Sequence, residues 1–195
     1  MRLQSAIFDM DGTLLDSMPT WRELGPTFLK EAGISATPEQ DRMLHILADC
    51  DVIPYLREVC GLPWSQQEII DQIIQRMETF YSSQVRPKPG LEKFLSILKM
   101  EGVWMYVATA THRRLTEKAL KTAGIDHYFR GIVTSADAGN HKSESADIYE
   151  MAMRRLQSNK RDTVVFEDAL HAIRTAKEVL EPMGYRLQGV RIDSG

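Results

Sequence analysis

From Leu91 onward, runs with helical spacing alternate with short β-rich apolar runs, and this alternation constrains the fold more than any other feature of the chain. Leu91, Phe94, Leu95 and Leu98 repeat at helical spacing, Gly102 breaks the pattern, and VWMYVAT (103–109) follows as a buried strand. The unit then recurs. A helix over 115–123 leads past Gly124 to GIVTS (131–135), a helix over 146–156 leads to TVVFED (163–168), and a helix over 169–180 leads to YRLQGVRI (185–192). With a first strand over 3–9, the expectation is a five-stranded α/β fold: a Rossmann-like parallel sheet covered by helices on both faces.

Between the first strand and this series the pattern changes. Residues 18–85 contain no strand signal, and EIIDQIIQRMETFY (68–81) carries an apolar stripe of Ile69, Ile70, Ile73, Ile74, Met77 and Phe80. Pro87, Pro89 and Gly90 punctuate the return to the sheet. The reading is a core built from 1–17 and 86–195, with an all-α cap domain over 18–85 inserted on two hinges.

In open parallel sheets, ligands bind beyond the carboxyl ends of the strands. The residues expected there are Asp9 and Asp11 in AIFDMDGTLLDS, Thr109 after the second strand, Lys142 in the loop after the third, and Glu167 with Asp168 after the fourth. Four carboxylates against one hydroxyl and one ammonium leave an excess of negative charge that repels itself unless a cation joins it, and hard oxygen donors suit Mg²⁺. A carboxylate can also attack phosphorus and divide a difficult transfer into two steps, and a second carboxyl nearby can act first as acid and then as base. Gly12 permits a tight backbone turn that brings N–H groups toward a phosphate.

Taken together, FDMDGTLLDS, the VATAT strand end, Lys142 and VFEDALHAI resemble the four ordered motifs of the haloacid dehalogenase superfamily. The likeness is to its branch with a helical cap after the first motif, which includes β-phosphoglucomutases and phosphatases. The resemblance implies Asp9 as nucleophile and Mg²⁺ ligand, and Asp11 as general acid and base with its backbone carbonyl on the metal. It further implies Thr109 and the Ala110 N–H as holders of the transferring phosphoryl group, Lys142 as its neutralising charge, and Asp168 and Glu167 as metal ligands, the latter directly or through water. Some positions depart from the pattern. The lysine motif reads NHKSESAD without the usual prolines, which leaves Asp147 as a helix N-terminal contact, and Ala172 stands where many relatives have glycine.

The same resemblance implies the reaction. Dehalogenases of the superfamily lack an acid at the position of Asp11, and its phosphonate hydrolases need a cap lysine, whereas the cap here holds only Lys30 near the hinge. The expected activity is a Mg²⁺-dependent phosphatase acting on a small-molecule phosphate monoester through an aspartyl-phosphate. A sugar phosphomutase stays open as an alternative, although Trp21 stands where such mutases carry a hinge histidine. A phospho-aspartate signalling module is the alternative from another class, with the order of its acidic motifs reversed relative to this chain. Trp21, Arg22, Arg42, His45, His112 and Arg113 are candidates for substrate contact, each with an ordinary packing or surface reading beside it.

Composition narrows the partners. A net charge of −3 gives no electrostatic reason to expect nucleic acid or an anionic membrane. No apolar run approaches a membrane span, and the two cysteines, Cys50 and Cys60, lack the arginine spacing of cysteine phosphatases. The expectation is a reduced, cytoplasmic protein with structural thiols and a small phosphate ester as its partner; the sequence sets no oligomeric state.

Overall fold

The structure, a computed structural model, describes residues 3–45, 47, 49–139, 145–169 and 172–173. The expected fifth strand over 185–192, most of the helix over 169–180, and Lys142 lie outside the described residues.

The described strands are all parallel and stand in the order β3-β2-β1-β4, where β1 is Ser5–Phe8, β2 Trp104–Thr109, β3 Ile132–Thr134 and β4 Thr163–Phe166. This is the expected α/β Rossmann-like sheet. Its first strand is its middle one, flanked by β2 and β4. Alternation along β1 feeds both faces: Ile7 packs with Tyr106, Ala108 and Val133 under helix α8 (Asp147–Leu156). Phe8 points the other way, stacked on Phe166 at 4.5 Å and edge-on to Phe94 and Phe129. Burying side chains of this size stabilises by roughly 1.5–3 kcal/mol each, so the sheet is held from both sides.

The chain divides into two compact units, one of residues 17–80 and the other of the flanking segments. The helical unit contains α1 (Met18–Glu31), α2 (Pro38–Leu44), α3 (Asp49–Pro54) running into a single π-helical turn at Tyr55–Val59, and most of α4 (Gln66–Ser83). Local signals start these helices. Thr37 and Gln40 form a reciprocal capping box on α2, and at α4 Ser65 accepts from the Glu68 N–H while Glu68 accepts from the Ser65 N–H. Ile69 and Met77 of the α4 stripe are fully buried, as are Phe28 and Leu56. Cys60 is buried as well, and burial pushes its thiol above the ordinary range, which suits a packing role; the Cys50 side chain lies outside the described residues.

In the sheet unit, α5 (Leu91–Met100) precedes β2, α6 (Arg113–Thr122) follows it, and a short α7 (Ser135–Ala138) follows β3. The two connections to the helical unit lie side by side: the Asp16 N–H donates to the Arg86 carbonyl at 2.9 Å and the Lys88 N–H to the Leu14 carbonyl at 2.9 Å. Tyr81 and Val85, expected in the cap, belong to the sheet unit and are buried there. Among the described residues no helix is long and apolar enough to cross a membrane.

Candidate active site

The sheet register assembles the site. Phe8 pairs with Val107 on one side and Phe166 on the other, so β1, β2 and β4 run out at the same edge. The Asp9 N–H extends the ladder by donating to the Phe166 carbonyl at 2.9 Å, which brings the residues after β4 beside those after β1. Carboxylate oxygens of Asp9, Glu167 and Asp168 lie within 4.8 Å of one another, and Asp9 is only 2% exposed.

Charges at that spacing repel by roughly 3–4 kcal/mol per pair at a surface-like dielectric, so each carboxylate needs donors or a cation. The neighbours supply donors. Thr13 donates its hydroxyl to Asp168 Oδ1 at 3.2 Å, the Tyr149 hydroxyl donates to Glu167 Oε2 at 2.6 Å, and the Ala169 N–H donates to Glu167 Oε1 at 3.1 Å. Oxygen-only donors of this charge fit a hard divalent cation.

Asp11 stands apart from this trio. Both of its oxygens are taken up: Tyr81 donates to Oδ1 at 2.6 Å and Thr111 to Oδ2 at 2.7 Å. The turn that follows Asp11 uses Gly12 at φ 83°, in the left-handed region, and the Leu14 and Leu15 N–H groups both return to the Met10 carbonyl. Thr109 is buried at the end of β2, where its hydroxyl accepts the Thr111 N–H at 3.1 Å, and Ala110 follows it, half-buried.

The remaining candidates fall in several places. Trp21, Arg22 and His45 line a cavity of about 90 Å³ inside the helical unit, with Phe28 and Leu56. Arg42 is exposed on α2, and His45 sits at the end of that helix with Nδ1 2.7 Å from the Asp41 carbonyl. His112 caps α6 by accepting the Arg114 N–H at 3.4 Å. Arg113 is engaged in tying α6 to the end of β3, donating to Asp137 at 2.8 Å and to the Ile132 carbonyl at 2.9 Å. Lys142 is outside the described residues.

A parallel sheet whose strand ends converge on acids places its ligand site beyond the carboxyl ends of its strands, as in open α/β proteins generally. The sequence profile of one family, described as haloacid dehalogenase-like hydrolase, matches residues 6–180, and the chain belongs to that family. Among its relatives, a phosphorylated carbohydrates phosphatase of Thermotoga maritima is 25% identical over 175 residues, spanning 90% of this chain and 81% of the relative. A fructose-1-phosphate phosphatase of Escherichia coli, YqaB, is 25% identical over 181 residues, spanning 90% of this chain and 92% of the relative. In fold, the chain is similar to CbbY from Rhodobacter sphaeroides, solved in complex with phosphate, with a TM-score of 0.73 at 24% identity over 90% of this chain and 82% of the other.

Proposed function

We propose that this protein is a Mg²⁺-dependent phosphatase of small phosphate monoesters, with phosphorylated sugars as the substrate class. The reading is carried by one juxtaposition: buried Asp9 within reach of Glu167 and Asp168, with Asp11 held separately beside them. The relatives named as phosphatases of phosphorylated carbohydrates and of fructose 1-phosphate support the substrate class.

In this reading Asp9, Glu167 and Asp168 hold the metal, joined by the Asp11 backbone carbonyl. Bound Mg²⁺ supplies charge screening between the phosphate dianion and the attacking carboxylate. An Asp9 oxygen attacks phosphorus, the bond from phosphorus to the alcohol oxygen breaks, and Asp11 gives its proton to that oxygen. Asp11 then takes a proton from water, whose oxygen attacks the phosphorus of the aspartyl-phosphate, releasing phosphate and restoring the Asp9 carboxylate. The Thr109 hydroxyl and the Ala110 N–H hold the transferring oxygens, and Lys142 adds positive charge. Trp21, Arg22, Arg42, His45 and His112 are proposed as substrate contacts from the cap and the β2 loop.

The test is Mg²⁺-dependent phosphate release from a panel of sugar phosphates, with Asp9→Asn and Asp11→Asn beside the wild type. The expected result is release that Asp9→Asn abolishes and Asp11→Asn lowers by about 10²–10⁴-fold. Interconversion of phosphosugar isomers without release would replace the phosphatase by a phosphomutase. Stable phosphoprotein without turnover would replace it by a signalling module.

A further inference from the structure

The hydrogen bonds on Asp11 come from two places far apart in the chain. Tyr81 is fully buried in the last turns of α4, one residue after the helical unit ends at Phe80. Thr111 lies two residues beyond Thr109, which ends β2. Each donates to a different oxygen, at 2.6 and 2.7 Å, at the short end of the range for O–H···O hydrogen bonds. One donor on each oxygen fixes the carboxylate about both of its side-chain torsions, and each oxygen retains a second lone pair.

Thr111 is itself anchored. Its N–H donates to Thr109 Oγ1, and its carbonyl accepts from the Thr116 hydroxyl at 3.2 Å. The orientation of Asp11 is therefore indexed to the loop proposed to grip the phosphoryl group. A proton donor is useful only if it meets the leaving oxygen while that oxygen still bonds to the held phosphorus, and a misplacement of about 1 Å can cost on the order of 10²-fold.

We propose that Tyr81 and Thr111 are positioning residues that aim Asp11 at the leaving-group oxygen. This rests on the phosphatase reading above and goes beyond it, because neither residue touches the reacting atoms. The two hydroxyls bear on the reaction by way of Asp11, so their loss falls on substrates whose leaving group needs a proton. An alkyl alcohol leaves as an alkoxide unless protonated, whereas p-nitrophenolate leaves without help.

The experiment compares kcat/KM, which reports the steps up to the first irreversible one, for a sugar phosphate and for p-nitrophenyl phosphate in the wild type, Tyr81→Phe, Thr111→Val and Thr111→Ser. Tyr81→Phe and Thr111→Val are expected to lower the sugar phosphate value by about 10-fold or more. Their loss on the aryl ester should be several-fold smaller, and Thr111→Ser, which keeps the hydroxyl, should restore most of the sugar phosphate value. Equal proportional losses on both esters, no loss on either, or failure of Thr111→Ser to rescue would overturn the proposal. The threonine pair decides the matter alone if Tyr81→Phe does not fold. A wild type that releases phosphate from neither ester would instead overturn the phosphatase reading, and this proposal with it.

Discussion

Tyr149 and Glu167 form a buried pair in which the hydroxyl on α8 steadies an acid of the carboxylate cluster. Tyr149→Phe leaves Glu167 with the Ala169 N–H and one donor fewer, at a cost of about 1–3 kcal/mol. It should also raise the Mg²⁺ concentration for half-maximal activity by about 10-fold, since groups that orient metal ligands govern affinity. Urea unfolding and a Mg²⁺ titration check the two effects. A second residue-scale outcome concerns Gly131: a Cβ there would lie 2.5 Å from the Tyr106 hydroxyl oxygen and 2.7 Å from the nearest carbon of its ring. Tyr106 is buried and packed, so Gly131→Ala should destabilise by about 1–3 kcal/mol, read as a lower urea midpoint. The acids at strand ends could be read directly from the sequence, because carboxylates interrupting apolar runs stand out. Tyr81 and Tyr149 could not, since each sits in a helical pattern that accounts for it as packing, and its role depends on a partner far along the chain. Thr111 carried a faint signal as the second threonine of VATAT, and Thr13 as part of DGT.

At the scale of elements, the alternation of helix and strand was legible because burial writes it as a change of period. Ends were less evenly so. TVVFED is an apolar run closed by two acids, and β4 stops at Phe166 with Glu167 and Asp168 beyond it, where they were expected. GIVTS reads through Ser135, but Thr134 closes β3 by capping α7: it accepts the Asp137 N–H, while Asp137 accepts the Thr134 N–H. That capping box was visible in TSAD and passes unnoticed in a search for strands. Burial pushes the Asp137 carboxyl up, but the Thr134 N–H and hydroxyl and the Arg113 guanidinium outweigh it and hold the group below the ordinary carboxylate range. With the folded value depressed, the cap contributes stability above the unfolded value of about 3.9 and loses it as pH falls through the folded one. Asp137→Asn should flatten this acid limb, so that the difference in urea midpoint between variant and wild type shrinks below about pH 4.

At the scale of the molecule, the helical unit is an insertion whose two connections are tied to each other in the sheet unit. The insertion was legible from its lack of strand signal, and its exit near Arg86 was not placed to the residue, because the α4 stripe runs on through the boundary to Ser83. Every described strand pair joins parallel neighbours, and those of β1 are remote in sequence. Long-range parallel pairing delays the contacts that repay chain closure. Refolding from urea is expected to take milliseconds to seconds or longer, not microseconds, as stopped-flow fluorescence of the three tryptophans would record.

The central position of β1 also bears on synthesis. Ser5 leaves the ribosome long before Trp104 and Thr163, the residues it pairs with. At 5–20 residues per second, on the order of ten seconds pass before β4 exists. Over that interval the helical unit is complete in sequence, while Asp9 still lacks Glu167 and Asp168. A product cut short before Thr163 therefore carries Asp9 without its acidic neighbours, and incomplete chains hold no assembled cluster.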